Sequence, residues 1–100
     1  MTDKEKNEFI NLLEKELRVN AVADFEITDN VEFNFAIPGL FILIQCEFMP
    51  CKTQNLATMM GWRILRFTPQ SLCTNVTIEI IRKTILRSCE FTNVNNDIKL

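Results

Sequence analysis

The chain has 100 residues, 47% apolar and 24% charged, the profile of one ordinary globular domain. At this length folding hides roughly 60% of the surface an unfolded chain exposes, enough for one core and no second domain. The longest nearly apolar run, Ala36 to Cys46, contains Pro38, Gly39 and Gln45 and is too short to span a bilayer. No apolar segment follows the charged start, Met1 to Lys6, as it would in a secretory signal, so a cytoplasmic location is expected.

Four cysteines (Cys46, Cys51, Cys73 and Cys89) occur without any paired spacing, and the chain has no histidine. That pattern argues against a zinc site and points to reduced, mostly buried thiols. Without histidine, every Ser-His and Cys-His arrangement is excluded, so any catalysis would rest on carboxylates, lysine or a metal. Charge is uneven. Residues 1–48 carry ten acids and four bases (−6), and residues 49–100 three acids and seven bases (+4), giving the net −2. A dedicated nucleic-acid binder usually has a basic balance, which this chain lacks.

The first element reads as a helix from Thr2, with Thr2 and Asp3 as N-cap candidates, Thr2 and Glu5 spaced as a capping box, and Phe9, Leu13 and Leu17 forming one buried stripe beside Ile10 and Leu12. It is expected to end near Asn20. Val22 to Thr28 alternates as a half-exposed strand, Asp29-Asn30 is a turn, and Val31 to Ile37 alternates again. In that second strand Val31, Phe33, Phe35 and Ile37 are expected on one face. Pro38-Gly39 makes the next turn, and Leu40 to Phe48, apolar on both faces until Gln45, reads as a central strand. Lys52 to Met60 has helical spacing and Gly61 stops it; Trp62 to Phe67 is a short strand. Thr68-Pro69 reads as an N-cap with proline at the first helical position, and Asn75 to Ser88 as a helix burying Ile78, Ile81 and Ile85. Residues 1–90 are therefore expected as one α-β-β-β-α-β-α domain, and 91–100, rich in Asn and Asp, as a loose tail.

The run Val31-Glu-Phe-Asn-Phe-Ala, then Leu43-Ile-Gln-Cys-Glu, then Gln54-Asn55 leading into Gly61-Trp-Arg-Ile-Leu-Arg-Phe-Thr-Pro, resembles small phage and bacterial members of the PD-(D/E)XK nuclease superfamily. The resemblance spans roughly residues 5 to 88, and GWRILRFTP is its most specific piece. It implies a compact α/β restriction-endonuclease-like core, a mixed four-stranded sheet flanked by helices. It also implies a Mg²⁺ site in which an aspartate on the second strand and an acid on the third hold the ion, hard oxygen donors that activate a water for phosphodiester attack. Those two positions hold Asn34 and Gln45 here; Glu47 is the acid kept, and Glu8 matches a first-helix glutamate of some relatives. The water-orienting lysine is missing unless Lys52 replaces it, and the glycine-rich loop after the third strand is cut down to Phe48-Met-Pro-Cys.

Both amides preserve shape and delete charge, which weakens attraction for a divalent cation by several kcal/mol. The resemblance therefore implies a degenerate site at Glu8, Asn34, Gln45 and Glu47, with no catalytic residues, no metal ligands and the ancestral Mg²⁺ lost. The expected role is that of an inhibitor or binding module, phage-encoded and working in a host cytoplasm, whose acidic N-terminal half engages a basic nucleic-acid-binding or defence protein. Lys52, Arg63 and Arg66 are candidates for phosphate or partner contact, with a salt bridge from Arg66 to Glu47 as the plainer expectation. Two other functions compete: residual Mg²⁺-dependent nuclease activity through Glu8, Gln45 and Glu47, and passive nucleic-acid binding through Arg63, Arg66, Arg82 and Lys83. A homodimer is possible in any of these cases; a membrane partner is not expected.

Overall fold

The computed structural model describes the backbone of residues 1–99 and the side chains through residue 87. Helix α1 (Asp3–Leu17) starts where the sequence places it. The Thr2 hydroxyl accepts from the Glu5 N–H while the Glu5 carboxylate accepts from the Thr2 N–H. This reciprocal pairing satisfies two backbone donors that a bare helix end would leave open. Phe9 and Leu13 are fully buried on the sheet-facing side.

Strands β1 (Val22–Thr28) and β2 (Val31–Ile37) form an antiparallel hairpin. A short 3₁₀ turn over Pro38–Leu40 leads to β3 (Ile42–Gln45), antiparallel to β2 and buried throughout. Helix α2 (Cys51–Met59) crosses to β4 (Arg63–Arg66), which runs parallel to β3. Gly61, at φ +96°, closes α2 in a conformation that side chains resist, and the Trp62 N–H donates back to the Ala57 carbonyl. The sheet order is β1-β2-β3-β4. The fold is thus α/β with a mixed four-stranded sheet and three helices. Among the described residues no helix is long and apolar enough to cross a membrane.

The core has two halves. Phe35, Ile37, Ile42 and Ile44 pack with Phe9 and Leu13 of α1 and Ile78 and Ile81 of the last helix. Phe33, Ala36 and Leu43 pack with Met49 and with Ala57 of α2. Phe33 and Phe35 therefore lie in different halves, contrary to the single face expected for Val31, Phe33, Phe35 and Ile37. The neighbouring strand changes face at the same place, with Ala23 in the first half and Phe25 in the second. The register pairs Ala23 with Phe35 and Phe25 with Phe33, so Asp24 stands opposite Asn34, and Asp24 has a left-handed φ of 51°. One such residue breaks the two-residue period of an extended chain. Lys6 of α1 reaches down to this break and donates to both Asp24 carboxylate oxygens at 3.0 Å.

Three other elements differ from expectation. β3 ends at Gln45 instead of running from Leu40 to Phe48, because the 3₁₀ turn takes its start and side chains replace the ladder at its end. Pro69 opens only a 3₁₀ turn, Pro69–Ser71, and Thr68 makes no side-chain cap. Helix α3 begins at Asn75, with the Thr74 hydroxyl accepting from the Thr77 N–H, and its backbone continues to Lys99, through residues expected as a tail. No proline or glycine follows Pro69 to stop it. Leu100, and the side chains from Ser88 on, including that of Cys89, lie outside the described residues.

Candidate functional site

The paired register of β2 and β3 ends at Phe35 and Ile44. Asn34 and Gln45 occupy the next opposed positions, and each side chain reaches across to the other strand. The Gln45 Oε1 accepts the Asn34 N–H at 2.9 Å, and the Asn34 Oδ1 accepts the Cys46 N–H at 2.7 Å. The Gln45 Nε2 donates to the Glu47 carbonyl at 3.4 Å. Gln45 is only 4% exposed, so these bonds answer the cost of enclosing an amide. Two side chains thus form a clasp that replaces one rung of the ladder.

The loop after β3 is held from both sides. Arg66, at the end of β4, donates from Nη2 to the Glu47 carbonyl at 2.9 Å, and Gln54 of α2 donates to the Met49 carbonyl at 3.1 Å. Met49 is tucked into the core, leaving Phe48 88% exposed at the apex. The expected salt bridge from Arg66 to Glu47 is therefore a bond to the main chain; Arg66 is exposed and the Glu47 carboxylate takes no part. Burial, with the Glu47 charge beside it, pushes the Cys46 thiol up to about 11 from its usual 9.0.

Asn34 and Gln45 are brought together, and Glu47 joins them through its backbone alone. Glu8 is exposed on α1, and its charge acts on Cys73 after β4: with burial as the larger cause, it raises that thiol's pKa. Lys52 lines a groove of about 630 Å³ with Val31, Thr53, Asn55, Leu56 and Met59, and makes no bond to the clasp. Arg63 is exposed on β4. Trp62 packs against Phe25 and Phe41, with ring centroids 5.6 and 4.9 Å apart.

The donors do not fit a Mg²⁺ ion. Mg²⁺ asks for an octahedron of hard oxygens with at least one or two carboxylates. Here both central oxygens are neutral amides that already accept backbone N–H groups. Among the described residues no three cysteine, aspartate or glutamate side chains converge to hold a metal. The main-chain partners, the Cys46 N–H and the Glu47 carbonyl, carry no side-chain signal and are not visible in the sequence. No family model, curated protein or solved structure matches this chain.

Proposed function

We propose that this chain is a nuclease-fold protein of the PD-(D/E)XK type that has lost catalysis and serves as a protein-binding, inhibitory module. The observation that carries the proposal is the clasp: the positions where the resemblance implies metal-holding carboxylates are neutral amides hydrogen-bonded to the chain's own backbone. The α-β-β-β-α-β-α order and the mixed sheet flanked by helices support the resemblance. The shortened loop after β3, pinned by Arg66 and Gln54, leaves no glycine-rich segment beside the clasp. Site chemistry and site architecture are lost together.

A domain without its own chemistry acts by occupying a surface. The −6 charge of residues 1–48 suits a basic, nucleic-acid-binding surface on the target, with a host defence protein as the favoured class. Two assays test this. Incubation with plasmid and single-stranded DNA in Mg²⁺ or Mn²⁺ leaves both intact, and capture from host lysate recovers a basic protein whose binding weakens as salt is raised. Metal-dependent cleavage overturns the proposal in favour of a residual nuclease. Recovery of nucleic acid with no protein overturns it in favour of passive binding through Arg63, Arg66, Arg82 and Lys83.

A further inference from the structure

We infer that the outer edge of β4 is a docking site for an extended, acidic segment of a partner protein, added as a fifth strand. β4 is the last strand of the sheet, so among the described residues one of its edges has no strand beside it. The Arg63 N–H donates inward to the Phe41 carbonyl and the Phe67 N–H to the Gln45 carbonyl. By alternation, the N–H and carbonyl groups of Ile64 and Arg66 point outward. Ile64 and Leu65 are only half-buried, whereas every residue of β3 is buried, as a strand with an open flank requires.

The two edges of the sheet differ. β1 is blunted by the left-handed Asp24 and by a register shift between Glu26 and Thr28, devices that keep an edge from pairing. β4 has no proline and no irregularity in its register. What guards it is charge: Arg63 and Arg66 stand at its two ends, and among the described residues neither meets a carboxylate. Arg66 uses one guanidinium donor on the Glu47 carbonyl and keeps the rest of its five N–H groups.

These features choose the occupant. A second copy joined β4 to β4 would set arginines against arginines, and one joined through β1 would meet the blunted edge. Single-stranded nucleic acid offers phosphate acceptors, but half of the outward row consists of carbonyls, which repel them. An antiparallel peptide strand supplies both donors and acceptors, and acidic side chains three residues apart fall opposite Arg63 and Arg66. The edge goes beyond the binding-module reading, which it rests on: it adds a basic surface for an acidic segment to the acidic half, residues 1–48, that faces the partner's basic surface.

The test is a nuclear magnetic resonance titration of the ¹⁵N-labelled full chain, without metal. The probe is the hexapeptide acetyl-Thr-Glu-Val-Val-Glu-Thr-amide, and its Lys-for-Glu counterpart is the control. The acidic peptide moves the amide signals of Ile64 and Arg66, and the lysine peptide binds at least tenfold more weakly. Arg63→Glu combined with Arg66→Glu, both at exposed positions, reverses the preference. Equal binding of the two peptides, shifts confined to α2 or to β1, or an unchanged preference in the double variant overturns the assignment. Because the titration reads neither metal nor cleavage, its failure leaves the inert-site proposal standing.

Discussion

Replacing Asn34 by alanine tests whether the clasp holds β2 and β3 together. The substitution removes the acceptor of the Cys46 N–H, a bond of 2.7 Å at a half-buried position. A hydrogen bond contributes about 1 kcal/mol net, and an N–H left without a partner away from water costs about 1–3 kcal/mol. Partial access of water to Cys46 places the expected loss near ~1–2 kcal/mol. For a domain of this size that lowers the melting temperature by roughly 5–15 °C. Gln45→Ala costs more, about 2–4 kcal/mol, because the side chain is nearly fully enclosed and a cavity adds to the lost bonds. Asn34→Asp keeps the acceptor and stays close to the parent. Thermal and urea unfolding of the two alanine variants and their combination give the coupling, expected at ~0.5 kcal/mol or more for neighbours that close the same gap. An Asn34→Ala protein that melts within ~2 °C of the parent would refute the structural role assigned to the clasp.

Asp24→Val destabilises the chain although valine favours strands, because a β-branched residue resists the left-handed φ of 51° by about 1–2 kcal/mol and the Lys6 contact is lost with the carboxylate; unchanged unfolding would show that neither the backbone at Asp24 nor its contact with Lys6 contributes. Cys46 reacts slowly with iodoacetamide at pH 8 while the exposed Cys51 reacts first, as read by peptide mass spectrometry. Its folded pKa of about 11 exceeds the unfolded value of 9.0, so its contribution is complete below pH 9 and is lost as pH rises toward 11. Cys46→Ala flattens that alkaline decline; equal decline in both proteins would assign it elsewhere.

How much of this fold can be read from residues alone depends on where each signal resides. α1 is legible because its cap and its stripe both fall within the element: Thr2 with Glu5, and Phe9 with Leu13. β1 and β2 keep their expected limits, since Asp29-Asn30 marks the turn between them. The change of face between Phe33 and Phe35 is hidden, because it falls opposite the left-handed backbone of Asp24, which the alternation of residues does not announce. β3 reads too long because a segment apolar on both sides carries no period to say where pairing stops. At the candidate site, the meeting of Asn34 and Gln45 follows from placing two polar residues on adjacent strands. Their partners are main-chain groups, and Arg66 likewise answers the Glu47 carbonyl in place of its carboxylate. Side-chain identity does not encode such contacts.

The replaced carboxylates can be put back. In an Asn34→Asp, Gln45→Glu variant, the new carboxylate at position 45 faces the Glu47 carbonyl in a nearly closed space, a repulsion that a divalent cation relieves. A ligand bound by the folded state alone raises the melting temperature as its concentration rises. Melting of parent and double variant across a Mg²⁺ series measures this directly. The account predicts that the parent's transition stays where it is while the variant's climbs with added Mg²⁺; a parent that Mg²⁺ stabilises at low millimolar concentration contradicts it.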